Sequence, residues 1–339
     1  MNVRISQLIA FLIAGFWTSG HPAFAQDPGA IGGYTLGFVF DGRSSGLRPL
    51  VGIPGAAVLG AKLETGVAIR QAYLSPRQNY AVALTENGTV LVSMSSTAAP
   101  GIAPLGLDAS AEGVVALSPD GSAGAFYNVS DAVIRIVTGL PAAPNVVRSV
   151  PVAAISGTIR LLAISNDAAQ LVAAVDTTGA DTLTQIDADG NGRTLANSTH
   201  ISALQFIGDS KDVLVADDAD DTISVVQDVS ASAVWRPLAG AGEGVAGPVS
   251  VDVSLDGKLV IVANGRARNI FVFDPNGSQR ATYACPCTPA ELGRLNGNSV
   301  FLLTDVSGTG PLWIFDGDSA TPRVVFVPAG ESGSTGAAQ

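Results

Sequence analysis

A tandem repeat constrains this chain more than any other feature. Val249 to Ser254 alternates apolar and polar residues, turns at Ser254-Leu255-Asp256-Gly257, and continues as a second apolar strand ending at Asn264. A third strand follows, from Asn269 to Asp274. The frame recurs at 67–93, 113–137, 159–187, 201–228 and 290–316, with short fourth strands such as Arg323–Val327 and Arg48–Val51. Counted by the ends of the third strands, from Asp41 to Asp316 in six steps, the period is about 46 residues. Four short strands at such a period predict an all-β fold, a β-propeller of four-stranded blades. One blade cannot cover both of its faces, whereas blades stacked around an axis cover each other. Helical periodicity is nearly absent, which excludes a doubly wound α/β fold.

The repeats number six or seven blades. Seven pairs read as third plus fourth strands, starting with Leu36–Asp41 and Leu47–Val51, but only six pairs read as first plus second. Six blades with an added N-terminal hairpin, or seven with one incomplete, both fit.

Composition narrows the class. At 47% hydrophobic and 14% charged residues the chain is not intrinsically disordered. A formal net charge of −11, with 3 lysines, gives a nucleic-acid backbone nothing to bind. The N-terminus reads as an address: Arg4, a mostly apolar run from Ile5 to Trp17, then Ala23-Phe24-Ala25. Residues 1–25 are therefore expected to be a cleaved signal peptide, leaving a secreted or periplasmic chain that starts near Gln26. No other stretch is apolar for long enough to span a membrane as a helix. Residues 26–330 form the propeller domain, and the Gly/Ser/Ala-rich residues 331–339 form a disordered tail.

The segment from Val249 to Asp274 resembles the YVTN-type β-propeller repeat of secreted bacterial proteins. That repeat joins an apolar strand, a Ser-Pro-Asp-Gly-Lys turn, a second strand ending in Val-x-Asn, and a strand ending in Asp. The likeness is sharp at 113–137 and 249–274 and loose elsewhere. Ser254-Leu255-Asp256 lacks the proline, and the name-giving tetrad stands as Ile261-Val262-Ala263-Asn264. The resemblance implies a fold; relatives include surface proteins, binding modules and enzymes, so function rests on a site.

Three groups of residues are candidates for that site. Glu86, Asn128, Asp176, Asp217, Asn264 and Asp305 end the second strands. On one propeller face they would either ring the channel and hold a divalent cation or cationic ligand, or cap their own turns. Asp187, Asp189 and Asn191 match the first half of a calcium loop, but Leu195 and Ser198 stand where its later ligands belong, so an ordinary hairpin turn competes. Cys285 and Cys287, the 2 cysteines, are expected to form a local disulfide, with free thiols or a soft-metal site as alternatives. His200 lacks the partners of a hydrolytic triad. No cofactor is expected beyond calcium or another divalent cation. The expected function is that of a monomeric, non-catalytic scaffold binding a protein or glycan through its loop face. The alternative is a lactonase-like hydrolase with a metal held by Glu86, Asp176, Asn264 and Asp305.

Overall fold

The computed structural model describes residues 33–95, 99–107, 113–276, 280–306 and 310–328. The expected signal peptide and tail lie outside these residues. The described chain is all-β apart from one 3-10 turn at Ala241–Glu243.

Seven antiparallel sheets follow in chain order. Blade 1 holds β1 (Thr35–Asp41), β2 (Gly46–Val51) and β3 (Val58–Leu59). Blade 2 holds β4 (Gln71–Leu74), β5 (Tyr80–Thr85), β6 (Gly88–Ser93) and β7 (Gly101–Pro104). Blade 3 holds β8 (Val114–Leu117), β9 (Ala123–Asn128), β10 (Val133–Thr138) and β11 (Asn145–Pro151). Blade 4 holds β12 (Thr158–Ile164), β13 (Leu171–Asp176), β14 (Asp181–Ile186) and β15 (Gly192–Ser198). Blade 5 holds β16 (Ile201–Phe206), β17 (Val213–Asp217), β18 (Thr222–Gln227) and β19 (Val234–Ala239). Blade 6 holds β20 (Pro248–Val253), β21 (Val260–Asn264), β22 (Asn269–Phe273) and β23 (Arg280–Ala284). Blade 7 holds β24 (Gly293–Arg294), β25 (Val300–Leu302), β26 (Leu312–Asp316) and β27 (Arg323–Val327).

Seven buried apolar clusters seal the seven blade-to-blade contacts. Strand alternation sends successive side chains to opposite neighbours. In β5, Tyr80 and Val82 pack toward blade 3, while Ala81 and Ala83 pack toward blade 1. The last cluster joins Leu36, Val39 and Leu50 of blade 1 to Leu295, Val300 and Ile314 of blade 7. The ring thus closes through packing between its first and last blades, which establishes a seven-bladed propeller.

The turn after each inner strand shows why the Ser-x-Asp-Gly frame repeats. Ser254 Oγ accepts the Leu259 N–H at 2.9 Å and donates to Asp256 Oδ1 at 2.7 Å. Ser118 and Asp120 repeat the arrangement, with Ala123 N–H at 3.0 Å and the carboxylate at 2.8 Å. The fourth turn residue is left-handed: Gly121 and Gly257 both have φ 73°. Glycine adopts that conformation without steric cost.

Blade 1 requires a correction. Leu36–Asp41 and Leu47–Val51 are its second and third strands, not its third and fourth. Asp41 turns as second-strand ends do: its Oδ1 accepts Arg43 N–H at 3.0 Å, and Ser45, four residues on, has φ 50°. Asn264 and Asp217 are likewise followed at four residues by left-handed Arg268 (φ 53°) and Asp221 (φ 54°). β1, β2 and β3 therefore match the second, third and fourth strands of the other blades. Blade 1 has no inner strand among the described residues, and β1 itself borders the channel.

Candidate functional site

The central channel, where blade 1 shows no inner strand among the described residues, holds a cavity of about 660 Å³ whose wall includes Leu117, Gln205 and Asp252 of blades 3, 5 and 6. Phe38, Val39 and Phe40 of β1 line it, with Arg70, Gln71 and Tyr73 from blade 2 and Glu291, Arg294 and Asp305 from blade 7. A volume of this size lies within the range of small-ligand sites.

Gln78 closes the cavity toward the face that carries the Ser-x-Asp-Gly turns. Its side-chain Oε1 accepts the Phe38 N–H at 2.6 Å, and its Nε2 donates to Arg294 O. One side-chain amide thus takes the place of a peptide group of the absent strand. Gln78 stands where blades 3 and 6 carry glycine and has φ 56°, a conformation that disfavours a side chain. It is only 4% exposed. On the opposite face of the channel, Arg70 precedes β4, Glu291 precedes β24, and Asp305 follows β25.

The arginines on the wall are each oriented by partners, although Arg294 Nη1 has none and both keep their positive charge. Arg294 donates to Asp252 Oδ1 at 2.6 Å and to Val253 O, and its guanidinium lies 4.8 Å from the centroid of Phe301. Arg70 is turned to Thr85 O at 2.8 Å. The surrounding protein desolvates the Glu291 carboxylate, the negative charge of Asp305 adds to the cost of ionising it, and together they push its pKa up to about 7. Glu291 is therefore a carboxyl poised near neutrality, with the charge of Asp305 acting on it. Glu291 escaped sequence reading because it ends no strand; nothing local marks a residue in a blade connection as channel-lining.

Of the six second-strand residues, only Asp305 lines the channel. Asn264 is fully buried, accepts the Ala246 N–H at 3.3 Å and donates to Asn269 Oδ1 at 2.8 Å. Asp217 accepts N–H groups from Thr199 at 2.9 Å, His200 at 3.0 Å and Asp220 at 2.8 Å, besides the Ser198 hydroxyl. Burial opposes the Asp217 charge, yet these donors hold its carboxyl below the usual range. Asn128 accepts the Ser130 N–H at 3.0 Å, and Asp176 that of Gly179 at 3.0 Å. Glu86 is exposed beside the turn, and the neighbouring Thr85 hydroxyl makes the cap by donating to Gly88 O at 2.8 Å. Asp187, Asp189 and Asn191 form an exposed hairpin turn in which Asp187 Oδ1 accepts the N–H groups of Asp189 at 2.9 Å and Asn191 at 2.8 Å. Among the described residues no three His, Cys, Asp or Glu side chains gather as a metal site. Cys285 and Cys287 are joined as a disulfide, with Cα atoms 5.0 Å apart, in the connection from blade 6 to blade 7. His200 pairs with Asp218 at 2.5 Å on the surface.

No protein-family model matches this chain, and no curated protein matches it. Solved structures share its fold. A functionally unknown protein from Desulfotomaculum acetoxidans is 13% identical, with TM-score 0.58, covering 87% of this chain and 95% of its own. Hydrazine synthase from Kuenenia stuttgartiensis is 14% identical, with TM-score 0.50, covering 92% of this chain and 99% of its own. At such identities the likeness is one of fold alone. No helix among the described residues is long and apolar enough to cross a membrane.

Proposed function

We propose that this chain is an exported, non-catalytic binding propeller of the YVTN-repeat kind, and that its ligand carries a positive charge into the channel beside blade 1. The observation that carries the reading is the lining of the 660 Å³ cavity, where three carboxylates, Asp252, Glu291 and Asp305, outnumber the two arginines, Arg70 and Arg294, and where burial raises the pKa of Glu291. Ionised carboxylates in a partly desolvated pocket favour a cation that replaces their lost hydration. The set named for a metal-dependent hydrolase, Glu86, Asp176, Asn264 and Asp305, supplies only Asp305 to this cavity. Export is supported by the leader-like residues 1–25.

Calorimetric titration with spermidine at pH 8 tests the binding reading. Binding should weaken at least about tenfold, a loss of roughly 1.4 kcal/mol, in a Glu291→Gln/Asp305→Asn double variant. No heat from the wild type, or an unchanged affinity in the folded double variant, would overturn it. Export is tested separately, by N-terminal sequencing of protein recovered outside the cytoplasm of a bacterial host. A chain starting near Gln26 is expected, and retention of Met1 would contradict it.

A further inference from the structure

The wall of the channel cavity carries charges of both signs, and they are not all spent on each other. Arg294 is paired with Asp252 at 2.6 Å. Arg70 and Glu291 line the same cavity from blades 2 and 7, the two blades that flank blade 1. Among the described residues no salt bridge includes either of them. Both residues are exposed, so a solute in the channel can meet them.

Each is held in place by bonds that leave its charge available. The Arg70 N–H donates to Leu84 O at 2.8 Å, and the guanidinium Nη2 donates to Thr85 O at 2.8 Å. Among the described residues no other hydrogen bond engages that guanidinium, so its remaining N–H groups are open to a carboxylate. On the blade 7 side, the Ala290 N–H donates to Leu303 O at 2.8 Å and fixes the connection that carries Glu291. Two opposite charges that share a cavity without pairing favour a molecule that brings both signs.

The rest of the wall selects further. Phe38, Val39 and Phe40 of β1, together with Leu292, give it an apolar stretch. A bare amine would set like charge against Arg70, and a bare carboxylate would meet Glu291. Among the described residues no three His, Cys, Asp or Glu side chains gather to hold a metal ion. A space of about 660 Å³ suits a small molecule with an apolar body.

We propose that this cavity binds a free amino acid with an apolar side chain: Arg70 takes the carboxylate, Glu291 takes the ammonium, and the side chain lies against Phe38 and Phe40. The assignment rests on the channel being a site for a positively charged ligand, and adds that ligand's second charge and its apolar body.

Calorimetric titration of the whole protein at pH 8 with phenylalanine, phenethylamine and hydrocinnamate tests it, because the amine lacks only the carboxylate and the acid lacks only the ammonium. Phenylalanine should bind at least about tenfold more tightly than either. Arg70→Gln should erase its advantage over phenethylamine, and Glu291→Gln its advantage over hydrocinnamate. An advantage that survives both substitutions in folded variants would overturn the assignment. Phenethylamine binding as tightly as phenylalanine would also overturn it, while leaving the cation site standing. Hydrocinnamate binding as tightly as phenylalanine, or no heat from phenylalanine, would overturn it too, and the spermidine titration then decides separately whether the cation site stands.

Discussion

Two residues carry most of what is unusual in the channel. Glu291 has a pKa raised to about 7, above the ordinary 4.5. The folded state therefore binds its proton more tightly than the unfolded state does. Its stabilising contribution is complete below about pH 4.5 and is lost as pH rises through 7. Glu291→Gln should raise the melting temperature at pH 8 and leave it nearly unchanged at pH 4; thermal unfolding followed at both values checks this. For the same reason, spermidine affinity should increase from pH 6 to pH 8 in the wild type and stay flatter in the variant. Gln78 is the second. Replacing it with alanine leaves the Phe38 N–H and the Arg294 carbonyl without their bridge, and should cost about 1–3 kcal/mol in urea unfolding. Gln78→Gly also loses the bridge but removes the strain at φ 56°, so its loss should be smaller than that of alanine.

The recurring element is the turn after the inner strand. The Ser254 hydroxyl foremost, with Lys258 and Asn298 beside it, lowers the Asp256 pKa to about 2. Hydrogen bonds and neighbouring positive groups likewise lower Asp120, Asp167 and Asp217. A depressed carboxylate contributes stability that is present above its unfolded pKa and lost as pH falls through the folded one. The protein should therefore lose stability steeply from about pH 4 to pH 2, a window set by the unfolded carboxylates and the Asp256 value. Ser254→Ala, which removes the acceptor for Leu259 N–H and the donor to Asp256, should lower stability by about 1 kcal/mol and flatten this acid limb. Acid titration monitored by circular dichroism measures both effects.

At the scale of the whole molecule, the contact between the last and first blades decides whether a row of blades becomes a ring. Leu295 is 1% exposed in the cluster that joins blades 7 and 1, and lies against Gly37, where an added Cβ would come within 2.8 Å of Leu295 Cδ2. Leu295→Ala should cost about 2–5 kcal/mol, as for other buried leucines, and denaturant unfolding measures it. Hydrogen bonds between turns reinforce neighbouring blades: Asn166 accepts the Asp120 N–H at 2.9 Å from blade 3 and donates to Gly208 O at 3.2 Å in blade 5. One asparagine thereby ties three blades together.

The repeat, and with it the all-β propeller, was legible in the sequence because strand alternation and Ser-x-Asp-Gly turns are local, recurring every 46 residues or so. Even the place of β1 had a local sign, since Phe38-Val39-Phe40-Asp41-Gly42-Arg43 parallels Ile261-Val262-Ala263-Asn264-Gly265-Arg266. The spacing of the second-strand residues gave their common position but not their direction, and hydrogen bonds turn Asn264 and Asp217 into their own loops. Ring closure, the place of β1 at the channel, the Gln78 bridge and the meeting of Glu291 with Asp305 were settled only in three dimensions. Each depends on groups far apart in the chain, such as Gln78 with Arg294 and Thr35 with Asn296, and no local pattern encodes which connection will face the axis. The sequence determined what each blade is, because a blade is built from neighbours in the chain; tertiary structure decided what the channel holds, because its wall is shared among blades.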